Sequence, residues 1–248
     1  MPLFFYFLIA LMLTSCSPKF WELKSIKGAF LELDEQVSSD SSVIRQFFSY
    51  KQLLDSSMNE VIGCIETDMP LVKSGAYETL LGNFAADVIL SQAQKIIGKK
   101  PDLSVITTGG LRIPLYRGQV TVGTMFEFQP FDNEMVILEI EGKHLYELFE
   151  YHLQRKNTAI GNAKIVFESG NLSEALINGK PYDPEKVYTV VISDYLADGG
   201  DEMKFWQKSL RREYLYVKAR EMFIDYFKAI SAEGKQATAS LENRFVVR

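Results

Sequence analysis

Thr107-Thr108-Gly109-Gly110-Leu111-Arg112, followed downstream by Gln129-Pro130-Phe131-Asp132-Asn133, is the part of this chain that the rest is organised to hold. Just before it, Leu103-Ser104-Val105-Ile106 is a short apolar run, consistent with a buried strand that delivers two glycines to its end. Gly109 and Gly110 carry no Cβ, so the backbone can turn tightly and a ligand can come close. Arg112 adds a planar cationic fork suited to phosphate or carboxylate. Phe131 follows a proline and stands among Gln129, Asp132 and Asn133, where a purely structural Phe has little apolar company. Alone, a glycine pair before an arginine reads more simply as a βα turn with a surface Arg and a satellite-core Phe.

Working outward, the 248 residues are 47% hydrophobic and 24% charged, an ordinary globular composition long enough for one large or two small domains. Net charge is −5 and no basic run is present, which argues against nucleic acid as a partner. Residues Leu3 to Leu13 are almost wholly apolar, but spanning a bilayer takes roughly twenty such residues. The run fits a signal-peptide core over residues 1–15, and Leu13-Thr14-Ser15-Cys16 matches the bacterial lipobox, in which Cys16 is lipidated. No Lys or Arg precedes the run, which departs from the usual pattern. More than one acyl chain on Cys16 would give stable anchoring. The expected location is therefore the bacterial cell envelope, lipid-anchored and facing periplasm or exterior. Cys64, in the strand-like Val61-Ile62-Gly63-Cys64-Ile65, reads as an inert core thiol.

Residues 16–58 read as a tether, a short strand over Gly28 to Leu33, and an amphipathic linker helix over about 42–58, where Val43, Phe47, Tyr50 and Leu54 recur at helical spacing. From 59 to 248 strands and helices alternate: a strand near 60–67, a helix over 77–97 and the central strand already described. Next come a strand over Met135 to Ile140, a helix over Gly142 to Arg155 and a strand over Ala163 to Phe167. Asn178-Gly179 signals a hairpin. Val187 to Ser193 is a β-branched strand, a last helix is expected over 212–231, and Arg244 to Val247 can close a sheet. Mixed elements along the whole length give an α/β (α+β) class.

The strand at 187–193 leads into Asp194-Tyr195-Leu196-Ala197-Asp198-Gly199-Gly200-Asp201. Tyr195 offers an aromatic face and Asp201 a carboxylate that can accept from a pair of sugar hydroxyls. Phe131 and Tyr195 could face each other across a flat ring. In isolation, the loop also reads as a turn with capping aspartates and a packed Tyr.

Taken in order, Glu78-Thr79-Leu80-Leu81-Gly82-Asn83-Phe84-Ala85-Ala86-Asp87, Thr108 to Arg112, Pro130 to Asn133 and Tyr195 to Asp201 resemble the C-terminal domain of the 5′-nucleotidases. The resemblance covers about residue 59 to the end, and four blocks in register are far more specific than any one. It implies a four-layer α/β/β/α unit that recognises a nucleoside or nucleotide. Phe131 and Tyr195 match the two aromatics that sandwich the base, the second usually Phe. Asp201 matches the ribose-binding aspartate, Arg112 an arginine near the phosphates, and Asn133 a base-contacting asparagine. Two departures bear on phosphate: Thr107-Thr108 replace the usual Asn and first Gly, and Gly75 stands where family members often carry arginine, with only Lys73 nearby.

The full enzymes also carry a metallophosphatase domain with two metal ions. Here the only histidines, His144 and His152, lie two turns apart on one predicted helix, too far to share an ion, and read as ordinary helix residues. No catalytic residue, metal ligand or cofactor is therefore expected in this chain; divalent metals belong on a separate metallophosphatase partner. The resemblance implies the substrate-recognition subunit of a split 5′-nucleotidase-type hydrolase of nucleotide breakdown, membrane-bound through its lipid. The alternative is an envelope-anchored nucleoside-binding lipoprotein without hydrolytic role.

Overall fold

A computed structural model describes residues 23–32, 34, 37–72 and 75–248. Cys16, the lipobox and Lys73 lie outside the described residues. The chain divides into two units between Phe47 and Phe48. In the first, residues 28–32 form no strand, contrary to expectation: Phe30 and Leu31 are exposed and, among the described residues, have no partner strand to satisfy their backbone groups. Helix α1 (Ser41–Met58), which runs across the division, starts at Asp40, whose carboxylate accepts from the Ser42 amide at 2.8 Å. Its apolar spacing is as expected, yet none of its residues is buried.

In the second unit, β1 (Val61–Ile65) pairs antiparallel with β3 (Gly118–Thr121). Helix α2 (Leu80–Ile97) is capped by Thr79, which accepts from Gly82 N, and ends at Gly98 with φ 72°. A five-stranded mixed sheet has the order β10 (Arg211–Lys218), β4 (Glu134–Glu141), β9 (Val187–Ser193), β2 (Leu103–Thr107), β5 (Thr158–Gly161). Only β2 and β9 run parallel within it. A four-stranded sheet has the order β11 (Phe245–Val247), β6 (Ala163–Glu168), β7 (Asn171–Ile177), β8 (Lys180–Pro181). Asn178 and Gly179, with φ 52° and 69°, make the tight β7–β8 turn that their dipeptide predicts.

The five-stranded sheet is buried on both faces, so its strands read as nearly continuous apolar runs. Ile106, Ile137 and Val191 point toward α2 and α6 (Ala219–Ala232), against Phe84, Ile89, Phe223 and Phe227. Val105, Val136 and Val190 point the other way, toward the four-stranded sheet and α4 (Gly142–Arg155), against Ile165, Phe167, Leu148 and Phe149. Each such large side chain, fully buried, stabilises the fold by roughly 1.5–3 kcal/mol before entropy is counted. The architecture is the mixed α/β type expected, with two β layers and helices.

The first third of the expected helix over 212–231 is strand. Residues 211–214 and 218 pair with β4 as an edge strand, and the register breaks over 215–217, where Leu215 and Val217 pack on the core and Tyr216, at φ 54°, stands exposed. Helix α6 starts only at Ala219, where the Lys218 amide donates to Glu221 Oε2 at 2.9 Å. The short helix α3 (Val122–Phe128), with Thr121 accepting from Thr124 N, lies in a segment the sequence left unassigned.

The Glu78-to-Asp87 block fixes the end of the chain. Glu78 accepts from Asn83 Nδ2 and Glu242 N, both at 2.7 Å, and from Arg244 N at 3.1 Å. Arg244 donates both guanidinium nitrogens to Asp87, at 2.8 and 2.7 Å. These bonds seat β11 parallel to β6.

Candidate functional site

A cavity of about 390 Å³ opens at the C-terminal ends of the parallel strands β2 and β9, the place where open α/β sheets commonly receive ligands. Thr107, Gly109 and Gly110 line it from the turn after β2. Gln129, Phe131 and Asn133 come from the loop before β4; Ser193, Tyr195 and Asp201 come from the end of β9 and its loop. Ile89, Ile106, Met135 and Ala219 supply an apolar interior. Thr108–Gly110 form a 3₁₀ turn, and neither glycine has a positive φ, so Gly109 is not needed for an unusual backbone shape. A Cβ at Gly109 would meet nothing within 4 Å; the glycine leaves open space at the cavity.

The Phe131 wall is held by a residue from another element. Arg220, 7% exposed in the first turn of α6, donates Nη1 to Gln129 O at 3.0 Å and to Phe131 O at 3.4 Å. Its Nη2 donates to Asp132 Oδ1 at 2.7 Å, and its guanidinium lies 4.0 Å from the centroid of the Phe126 ring. The hydrogen bonds from Arg220 and Lys218 hold the Asp132 carboxyl below its ordinary pKa. With its carbonyl so fixed, Phe131 keeps its ring exposed at the mouth.

The Tyr195 wall starts with one helical turn, α5 (Asp194–Ala197), capped by Ser193. Asn133 Nδ2 donates to Asp194 Oδ1 at 3.2 Å, tying the two walls together, and the same oxygen accepts from Tyr195 N at 2.7 Å. The Tyr195 ring rests on Gly200: a Cβ there would come within 2.5 Å of it. Tyr195 Oη donates to Asp201 Oδ1 at 3.0 Å, and Asp201 holds φ 52°.

The structure thus brings Phe131, Asn133, Tyr195 and Asp201 to one cavity. Arg112 does not line it. It is exposed at the rim, 5.9 Å from the Phe131 ring centroid, with a 3.4 Å contact from Nη1 to Gly109 O. Gly75 has φ 92°, a conformation that would strain an arginine at that position. Sequence reasoning missed Arg220, hidden in a stretch read as mid-helix, and Tyr151, whose Oη donates to Asp201 O at 2.9 Å. Only a charged residue inside an apolar helix face could have pointed to Arg220.

The histidines lie elsewhere. His152 is buried, shares a 2.9 Å hydrogen bond between Nε2 and Tyr77 O, and packs edge-on to Phe245; burial lowers its pKa to about 4. His144 pairs with Glu147 at 3.1 Å. Among the described residues no group of three or more His, Cys, Asp or Glu is placed to hold a metal ion, so their donor set does not fit a two-metal centre. Among them, too, no helix is long and apolar enough to cross a membrane.

Two exposed rings, an apolar interior and a carboxylate meet at one mouth, a combination whose chemistry suits stacking on a flat ring and accepting from hydroxyl groups. The family model of the 5′-nucleotidase C-terminal domain matches residues 61–208, more than half of the chain. The protein belongs to that family. It is 23% identical over 236 residues to the trifunctional nucleotide phosphoesterase protein YfkN of Bacillus subtilis, covering 86% of this chain and 16% of that protein. It is 29% identical over 156 residues to the silent protein UshA(0) of Salmonella typhimurium, covering 61% and 27%. Among solved structures, the 5′-nucleotidase precursor from Thermus thermophilus superposes with a TM-score of 0.69 at 25% identity, over 82% of this chain and 42% of that one. The chain spans less than half the length of each of these relatives.

Proposed function

We propose that this chain is the substrate-recognition subunit of a split 5′-nucleotidase-type hydrolase in nucleotide breakdown. The cavity takes a nucleoside or nucleotide: Phe131 and Tyr195 enclose the base, Asn133 lies beside it, and Asp201 accepts from the sugar. Arg112 stands at the rim, where a phosphate would leave the cavity. A separate metallophosphatase polypeptide supplies the divalent metals and the hydrolytic step. Cys16 carries the lipid that holds the chain to the envelope. The observation that carries this reading is the meeting of Phe131, Tyr195 and Asp201, from loops more than sixty residues apart in sequence, at one cavity in a chain of this family.

The test is a nucleotidase assay with divalent metal, on the chain alone and with a candidate metallophosphatase polypeptide, beside calorimetric titration with adenosine and AMP. We expect binding by the chain and turnover only in the mixture. Turnover by the chain alone, lost on substitution of one of its own residues, would refute the recognition-subunit reading. Binding that no partner converts into turnover would leave the nucleoside-binding lipoprotein. Fatty-acid labelling that survives Cys16→Ala would remove the lipid anchor.

A further inference from the structure

Tyr195 contributes more to the cavity than a ring face. Its hydroxyl meets Asp201 twice, donating to Oδ1 at 3.0 Å and accepting from the Asp201 amide at 3.2 Å. The carbonyl of the same aspartate accepts from Tyr151 Oη at 2.9 Å, and Tyr151 Oη accepts in turn from Asn157 Nδ2 at 3.1 Å. Three polar groups of one residue are therefore fixed. That residue has φ 52°, a left-handed conformation that a side-chain-bearing residue keeps where its surroundings over-determine it. Asp201 lines the cavity, and its second carboxylate oxygen, Oδ2, accepts no hydrogen bond from the described residues.

We propose that Tyr195 is the positioning residue for hydroxyl selectivity at this site. Its Oη locks the Asp201 carboxylate so that Oδ2 is left as the acceptor for a hydroxyl of the ligand, favouring a ribonucleoside over its 2′-deoxy counterpart. A carboxylate oxygen can only accept, so it rewards a ligand O–H and gains nothing from a C–H in its place. Fixing the carboxylate before binding spares the ordering cost of a freely rotating one. This inference rests on the proposed nucleoside site. Replacement by Phe keeps the ring and its seat on Gly200 and removes only the lock.

The experiment is calorimetric titration of adenosine and 2′-deoxyadenosine into the full chain, as wild type, Tyr195→Phe, Asp201→Asn and the double variant. Wild type should favour adenosine. Tyr195→Phe should weaken adenosine by roughly two- to tenfold, the worth of one hydrogen bond, and leave 2′-deoxyadenosine nearly unchanged. The double variant should discriminate no less than Asp201→Asn alone, since both changes act on one group. A merely structural role would weaken both nucleosides alike. With wild type binding, an unchanged ratio in Tyr195→Phe overturns this inference and leaves the proposed function standing. A wild type that binds neither nucleoside overturns both. Without ligand, hydrogen exchange at the Asp201 amide should quicken in Tyr195→Phe; unchanged exchange also overturns the lock.

Discussion

The loop that carries Phe131 is held from outside itself, whereas the loop that carries Tyr195 is held mostly by its own backbone and its own hydroxyl. In the first, one buried guanidinium reaches from α6 to two carbonyls and a carboxylate. In the second, the shaping features are local: Gly199 at φ 92°, which glycine adopts freely, Asp201 at φ 52° and a ring lying on Gly200. Outside help for that loop comes from α4, through Tyr151 to Asp201 and an ion pair between Arg155 and Glu202, from Asn133 to Asp194, and from Arg212 of β10 to the exposed Asp198. One wall therefore depends on the join between β4 and α6, and the other on a turn that can fail by itself. The difference predicts which substitutions cost global stability and which cost only the site.

The largest effect should follow Arg220→Met. It leaves Gln129 O and Phe131 O without their donor, and an unsatisfied buried acceptor costs about 1–3 kcal/mol. For these two acceptors we expect about 2–4 kcal/mol of destabilisation in urea unfolding, the solvent-exposed Asp132 carboxylate adding little. Exchange should quicken at Phe131 before Tyr195. Equal quickening of both loops would erase the contrast between the walls.

Helix α4, which backs the second wall through Tyr151, has a pH handle on its other side, where His152 packs on Tyr77 and Phe245. His152 lies next to Tyr151 on α4, and its folded-state pKa is about 4, below the ordinary 6.5. The unfolded chain therefore binds the proton first. This group's stabilisation is fully present above about pH 6.5 and is lost as pH falls through about 4, to a total of about 3 kcal/mol. The denaturation midpoint of wild type should fall across that window, and His152→Gln should flatten the decline. Loss of protection around Tyr77 and Phe245, the partners of His152, should accompany it, ahead of any at either wall. An acid limb that His152→Gln leaves as steep would assign the loss to the carboxylates instead.

Gly200→Ala strikes the second wall more narrowly. A Cβ within 2.5 Å of the Tyr195 ring and 2.6 Å of the Tyr195 carbonyl forces the ring off its seat. Overpacking of this kind costs about 1–3 kcal/mol, here within one exposed loop. Nucleoside affinity should drop about tenfold, with the unfolding midpoint moved less than by Arg220→Met. Thermal scans beside titration check the split, and a midpoint loss that matches Arg220→Met would contradict a self-contained loop.

What the sequence disclosed follows the same division. Tyr195 and Asp201 stand six residues apart in one stretch, so their common place at the cavity was legible there. Phe131 was legible because an aromatic among polar residues has no apolar partner near it. Arg220 was not: its partners lie about ninety residues away, and it sits where a strand, not a helix, precedes it. Residues 211–218 misread as helix because strand pairing with β4, a long-range interaction, overrides local pattern. The stripe on α1 and the stripe on α2 look alike in sequence, yet α2 is buried and α1 is not. Periodicity identifies an apolar face but not what covers it. Glu78 and Asp87, part of the most recognisable block, serve the chain's end rather than the cavity.

The smallest expected effect tests how far the site reaches beyond its walls. Arg112 has its backbone amide tied to Phe128 O at 3.0 Å, but its side chain is exposed and, among the described residues, has a long contact to Gly109 O and a position near Phe131. Arg112→Ala should therefore change stability by no more than about 0.5 kcal/mol, as surface substitutions do. Adenosine, which carries no phosphate, should bind the variant as it binds wild type. AMP should weaken by about fivefold, near 1 kcal/mol, the worth of one charge-assisted contact in an open setting. Because the rim is solvated, that difference should shrink as salt is raised and the Debye length falls to about 8 Å or less. Titration of both ligands at low and high salt measures all of this. Equal loss for adenosine and AMP would make Arg112 a support for the Phe131 ring, and the phosphate would then have to leave the cavity by another edge.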